Sequence, residues 1–321
     1  MSKSVALPRV TPTKDSAWSS LVRRSIAAWN DLVPDEQPDS KDLHKELLSG
    51  YHSLDDFLAE SPNSVTFWFF QRRGAFMSQR RFRKWSSEVL DDYVLIPAAR
   101  GYVWRTDCFF VSHFWRDRKN PDPDGQTLRL HQAELKAQTW SYIWVDWTCL
   151  PQHPRSPSEE TYFHHGLRTM SGIIRNAAFI YFYPPFRPRL WILYEVAEYY
   201  LTCSGGLPKT HDIELFLEHI DEMIEKGVQK TLEKHRYHCY EDRDRQYLTS
   251  WLELLVLFQQ LKVDIDLVRM IMDNMTWSDA GSLTYLGLLE LNRYEGSLTY
   301  LGDKHTFTPF PKWMTQKKTK N

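Results

Sequence analysis

Three short, unbroken apolar runs constrain this chain most: Cys108-Phe109-Phe110-Val111, Tyr142-Ile143-Trp144-Val145 and Ala178-Phe179-Ile180-Tyr181-Phe182. Each is rich in aromatic and β-branched residues, and each is too short to be a buried helix. Helical periodicity fills the gaps between them, from Leu128 to Gln138 and from Glu160 to Arg175. Such runs read as strands buried on both faces of a parallel sheet. The alternation of strand and helix predicts an α/β core in three layers.

With 321 residues, the chain exceeds the roughly 100–200 residues of one ordinary domain, so elaborations or a second domain are expected. The pattern divides into a flexible arm over 1–16, an N-terminal helical region with a basic patch over 17–100, the α/β core over 101–205 and a C-terminal helical region over 206–321. In the second part, helical spacing runs from Trp18 to Leu32 and from Leu43 to Ala59. Val65 to Phe70 fits either a strand or a buried helix turn. In the last part, Ile213, Phe216, Leu217, Ile220, Met223 and Ile224 form one apolar stripe, followed by helices over Trp251 to Leu261 and Val263 to Met275. Gly-Ser-Leu-Thr-Tyr-Leu-Gly occurs at Gly281–Gly287 and again at Gly296–Gly302, which reads as a paired turn-and-pack element rather than a solenoid.

Lys plus Arg (40) nearly cancels Asp plus Glu (41), so nucleic acid binding through the whole-molecule field is excluded and a local patch would be required. Arg72, Arg73, Arg80, Arg81, Arg83 and Lys84, interleaved with aromatics, form such a patch. It suits phosphates and stacked bases, and a solvated face paired with acids elsewhere is the plainer alternative. No run of about 18 apolar residues is present, so no membrane partner is expected. The start lacks a signal sequence, and Cys108, Cys149, Cys203 and Cys239 are widely spaced, which together predict reduced thiols in a cytoplasmic protein. His235, His238 and Cys239 lack a second ligand pair at matching spacing, so no metal is expected.

In an open parallel sheet, ligands bind where the carboxyl ends of the strands meet. That rule selects Ser112, His113, Phe114 and Trp115 after the first strand, Asp146, Trp147 and Thr148 after the second, and Tyr183 to Phe186 after the third, all lining one cleft. Asp146 at a buried strand end must be paired or functional. Beyond Pro188, a helix start would place Trp191 and Glu195 on one face, four residues apart. Periodicity alone leaves open that Trp191 is core and Glu195 a surface carboxylate.

The segments FFVSHFW, YIWVDWTCLPQ, AFIYFY and RPRLWILYEVAEYY occur in the order and spacing of a TIR-like domain, with its W-x-x-x-E helix. The middle block is also similar to the heterokaryon-incompatibility (HET) domain, in which a SHxW loop precedes a WxDxxCxxQ strand end. The resemblance covers roughly residues 102–202. It implies a three-layer parallel-sheet TIR-like core and cleavage of NAD between ribose and nicotinamide, with NAD as substrate and no separate cofactor. Glu195 matches the essential glutamate; Asp146, on the strand-end argument above, is the second candidate catalytic residue. Phe114, Trp115, Trp147 and Trp191 would meet the rings, while Ser112 and His113 would hold ribose or phosphate. The acidic loop Asn120–Gly125, longer than in many TIR domains, is expected to repel a dinucleotide's phosphates. Two alternatives stay open. One is a tRNA-dependent enzyme using aminoacyl-tRNA, similar to a cyclodipeptide synthase. The other is a non-catalytic interaction module that self-associates as a homo-oligomer.

Overall fold

The computed structural model describes residues 14–33, 38–60, 67–183, 185–203, 206–207, 210–278 and 280–312. The expected arm over 1–16 lies almost wholly outside these residues. Each of the three apolar runs forms a strand. These are β3 (Cys108–His113), β4 (Tyr142–Trp144) and β5 (Ala178–Phe182), joined by α5 (Gln126–Leu135) and α7 (Pro157–Asn176). β3 pairs in parallel with β4 on one side and β5 on the other. A two-residue period then sends alternate side chains to opposite layers. Phe109 and Val111 pack with Leu128 and Leu135 of α5. Cys108 and Phe110 pack with Ile173 and Ile174 of α7 and with Leu193 of α8 (Leu190–Thr202).

The sheet is mixed rather than purely parallel. Two strands from the region expected to be helical, β1 (Phe67–Arg72) and β2 (Tyr93–Pro97), extend it in the order β2-β1-β4-β3-β5. β1 runs antiparallel to both β2 and β4. The α/β core therefore begins well before residue 101, and the ambiguous Phe67 to Phe70 segment is a strand. α1 (Lys14–Leu32) covers the outer edge of β2. Ser25 Oγ accepts from Leu95 N at 2.8 Å, and Trp29 Nε1 donates to Leu95 O at 2.7 Å. Those two bonds occupy backbone groups that would otherwise template pairing with another chain. The single helix expected from Leu43 to Ala59 is two, α2 (Pro38–Ser49) and α3 (Leu54–Glu60), with a new start where Ser53 Oγ accepts from Asp56 N at 3.1 Å. α4 (Arg73–Ser78) and the one-turn α6 (Asp146–Cys149) complete the core.

The C-terminal region carries α9 (His211–Lys226), α10 (Val228–Lys234), α11 (Asp242–Gln260) and α12 (Ile265–Trp277). It is not wholly helical. β6 (Ser282–Tyr285), β7 (Leu289–Asn292), β8 (Ser297–Tyr300) and β9 (Asp303–Thr306) form an antiparallel sheet. Each copy of the repeated heptapeptide supplies one strand, Ser-Leu-Thr-Tyr, and then a Leu-Gly turn. Both residues of each turn have positive φ (Leu286 48° and Gly287 67°, Leu301 52° and Gly302 93°), which matches the twist a tight hairpin needs. Among the described residues no helix is long and apolar enough to cross a membrane.

Candidate functional site

The helices that follow β3 and β5, α5 and α8, pack on opposite faces of the sheet, and the strand order reverses between these neighbours. Crevices open at that point beyond the carboxyl ends of the strands. Ser112 lies at the end of β3, in register with Tyr181 of β5. Its side chain points to the α8 layer, where Ser112 Oγ donates a short hydrogen bond to Glu195 Oε2.

α8 is set by the chain before and after it. Pro188 precedes its first turn, and a short parallel bridge joins Arg189 to His238. Leu190 N donates to His238 O at 2.9 Å and His238 N to Pro188 O at 3.0 Å. A carbonyl from the C-terminal region thus takes up one of the unpaired amide donors of the helix N-terminus. With the helix so anchored, Trp191 and Glu195 share a face, and both line a cavity of about 510 Å3. That volume falls in the range of roughly 300–1,000 Å3 usual for small-molecule sites.

Glu195 is half-buried, and burial pushes its carboxyl up to about 8. The Ser112 bond opposes that rise, and the negative charge of Asp146 adds to it. A carboxyl whose folded pKa exceeds its unfolded value of about 4.3 binds its proton more tightly when folded. Its contribution to stability is complete below about pH 4.3 and disappears as pH rises towards 8. Glu195→Gln carries no such proton. Relative to wild type, the variant is therefore expected to gain on the order of a few kcal/mol between pH 5 and pH 9, measured by urea unfolding at both. An equal difference at the two pH values would show that the carboxyl is not perturbed.

Asp146 opens α6 at the end of β4 and accepts three hydrogen bonds: from His113 Nε2 at 3.0 Å, Trp115 Nε1 at 2.9 Å and its neighbour Trp147 N at 2.6 Å. Both of its oxygens are occupied, which makes it the anchor for the His113 and Trp115 rings. His113 Nε2 must then carry its proton, while the buried His113 Nδ1 has no hydrogen-bond partner. Trp115 meets Trp147 edge-on, at 5.3 Å between centroids and 85° between planes.

The expected residues His113, Phe114, Trp115, Asp146, Trp147, Trp191 and Glu195 all line this one cavity. Ser112 touches it through Glu195. The third loop does not join them: Tyr183 is buried, and Phe186 packs on Phe216 at 4.9 Å. The acidic loop turns elsewhere as well. Buried Asp122 accepts from Thr127 N at 3.1 Å and Leu128 N at 3.0 Å, at the start of α5, and it pairs with Arg116. Arg116 also donates to Asp124 at 2.8 Å. Both carboxylates share the single cation Arg116, and neither is among the residues that line the cavity.

The basic patch is dispersed. Arg73 lies over Trp140 at 5.4 Å, Arg83 pairs with Asp92, and Arg72 donates to Asp91 O at 3.2 Å. Arg80 and Arg81 are exposed near Gly125, while the interleaved Phe76, Phe82 and Trp85 are buried. Of the six, Lys84 alone is among the cavity-lining residues, and it donates to His153 O.

The far wall of the cavity was not legible in the sequence. It comes from the loop before α7 (Gln152, His153, Arg155), from Phe163, from His238 to Glu241 ahead of α11, and from Arg243 and Asp244 in its first turn. His235, the third of the discounted metal candidates beside His238 and Cys239, instead bonds Glu222 at 2.7 Å. Trp191 Nε1 donates to Asp244 Oδ2 at 3.2 Å. Arg189 donates to Tyr240 Oη at 2.8 Å, and Arg118 lies over the same ring at 4.5 Å and pairs with Glu241 at 3.3 Å. The dense polar and aromatic string HCYEDRD was the available signal. Lys84, Arg118, Lys119, Arg155, Arg189 and Arg243 outnumber Asp146, Glu195, Glu241 and Asp244 on the lining, which favours an anionic ligand.

No family model matches this chain, and neither a curated protein nor a solved structure matches it.

Proposed function

We propose that the protein is a TIR-like enzyme that cleaves the bond between ribose and nicotinamide in NAD or a closely related nucleotide, with Glu195 as the essential carboxylate. The observation that carries this reading is the placement of Glu195 beside Trp191, on the wall of a cavity whose other walls are aromatic and cationic. Rings suit a nicotinamide and an adenine, and cations suit the pyrophosphate between them.

The chemistry asks little of the protein. The leaving group departs from a pyridinium as neutral nicotinamide, so no general acid is needed. Water adds to the ribose C1′, the glycosidic C–N bond breaks with both electrons going to the ring nitrogen, and one proton is released. A carboxylate close to the ribose stabilises the cation that develops there and orients its hydroxyls. Burial raises Glu195 to about 8. The fixed positive charge of a bound pyridinium favours its ionised form, so the substrate itself brings the group into its working state. Ser112 then donates to the carboxylate, and Asp146 acts as a positioning residue for Trp115 and His113.

Support for the aminoacyl-tRNA alternative is weaker on the same geometry. The aromatics of the Arg72–Lys84 segment are buried and cannot stack on bases, and Arg83 already has an acidic partner. Incubation of the purified full-length chain with NAD, followed by quantification of free nicotinamide, tests the proposal. Release at a rate proportional to protein is expected. Absence of release, even at protein concentrations high enough for self-association, overturns it.

A further inference from the structure

On the wall formed by α7 and α11, Arg155 is only 5% exposed along its side chain, yet it opens onto the cavity. Its Nη1 donates to Glu160 at 2.7 Å, and its guanidinium carbon lies 3.5 Å from the centre of the Phe163 ring. Its Nε has no hydrogen-bond partner. A buried donor left unpaired costs free energy that an acceptor would recover. Glu160 occupies one branch of the guanidinium and leaves Nε, itself buried, without an acceptor. Arg243 lies on the same wall, with its Nε 3.8 Å from Oδ1 of the Trp191 partner Asp244. Burial and the nearby charge of Arg243 both hold Arg155 below the ordinary arginine range, and the same two causes lower His164. Two arginines thus meet here, each with one carboxylate beside it, next to the ring that shares its helix face with Glu195.

We infer that Arg155 and Arg243 form an anion subsite that takes a phosphate of the cavity's ligand. The planar edge of Arg155 fits two phosphate oxygens in parallel, which a lysine in its place could not do. Phe163 supports the guanidinium from behind. Arg243 comes from the helical region outside the TIR-like segment, so that region completes the binding site instead of merely flanking it. That the phosphate belongs to a nucleotide, with its ribose at Glu195, rests on the function proposed above. The subsite itself does not.

The test uses calorimetric titration of the full-length protein with inorganic pyrophosphate, ADP-ribose and nicotinamide riboside. Wild type is expected to bind pyrophosphate in a salt-sensitive way, and ADP-ribose more tightly. Arg243→Ala, a partly exposed position that folding tolerates, should weaken both by about 10- to 100-fold, as loss of a charge-assisted hydrogen bond does. Its binding of the phosphate-free riboside should change less than about twofold. Arg155→Lys should weaken the two phosphates by a similar factor although it keeps the charge. If pyrophosphate binds and both substitutions weaken it, the subsite stands even when NAD is not cleaved. If NAD is cleaved but Arg243→Ala and Arg155→Lys bind ADP-ribose as wild type does, the function stands and the subsite is overturned. No pyrophosphate binding by wild type also overturns it.

Discussion

Glu195→Gln is expected to reduce nicotinamide release from NAD by at least about 10²–10³-fold, the scale on which removal of one preorganised electrostatic group slows a reaction. The amide matches the carboxyl in size and can still accept from Ser112 Oγ, so the helix and cavity stay intact. It cannot carry the negative charge that the ribose cation needs. The loss should appear in kcat with little change in KM, because the interaction is made chiefly in the transition state. A drop confined to KM would instead place Glu195 in ground-state binding. Equal activity in the two proteins would remove it from the reaction.

The second large effect concerns stability. Arg175→Met is expected to destabilise the fold by about 3–5 kcal/mol, the cost of stripping the partner from a buried charge. Arg175 is fully buried at the end of α7. Its guanidinium donates to Asp273 Oδ1 at 3.0 Å, Glu198 Oε1 at 2.5 Å and Thr276 Oγ1 at 2.8 Å. Trp251 Nε1 donates to the second oxygen of Glu198. This network clamps α7, α8, α11 and α12 together, and α8 is the helix that presents Glu195. Removal of the one cation leaves two carboxylates in the core. Urea unfolding measures the loss, and neutralising both acids in the same chain (Glu198→Gln with Asp273→Asn) should restore part of it. A loss below about 1 kcal/mol would mean that water reaches these groups.

The parallel strands were legible because a strand buried on both faces leaves a continuous apolar signature, as in Phe109-Phe110-Val111. The W-x-x-x-E spacing placed Trp191 and Glu195 correctly, since four residues along a helix return to one face. β1 and β2 were harder. Phe67-Trp68-Phe69-Phe70 has no period to separate strand from helix, and Tyr93 to Pro97 is a strand only through its pairing with β1 and its cover from α1. The repeated heptapeptide was visible, but its strands are four residues long and rely on a Leu-Gly turn, with leucine in a backbone region that it seldom adopts. The far cavity wall was illegible for another reason. Arg155 and Arg243 are 88 positions apart in the sequence, and only the docking of α11 beside α7 brings them to one surface. Asp146 was recognised as a carboxylate at a strand end, although its side chain keeps 29% exposure instead of being buried, and its task of holding Trp115 and His113 depends on geometry that no spacing encodes.

The most direct test is the pH dependence of kcat/KM for nicotinamide release between pH 6 and pH 9.5. That parameter reports the ionisation of the free enzyme, in which Glu195 is raised to about 8. The rate should climb tenfold per pH unit below that value and level off above it, and the residual activity of Glu195→Gln should lack this step. A flat wild-type profile across this range, or the same step in the variant, would contradict the assignment of Glu195 as the reacting carboxylate.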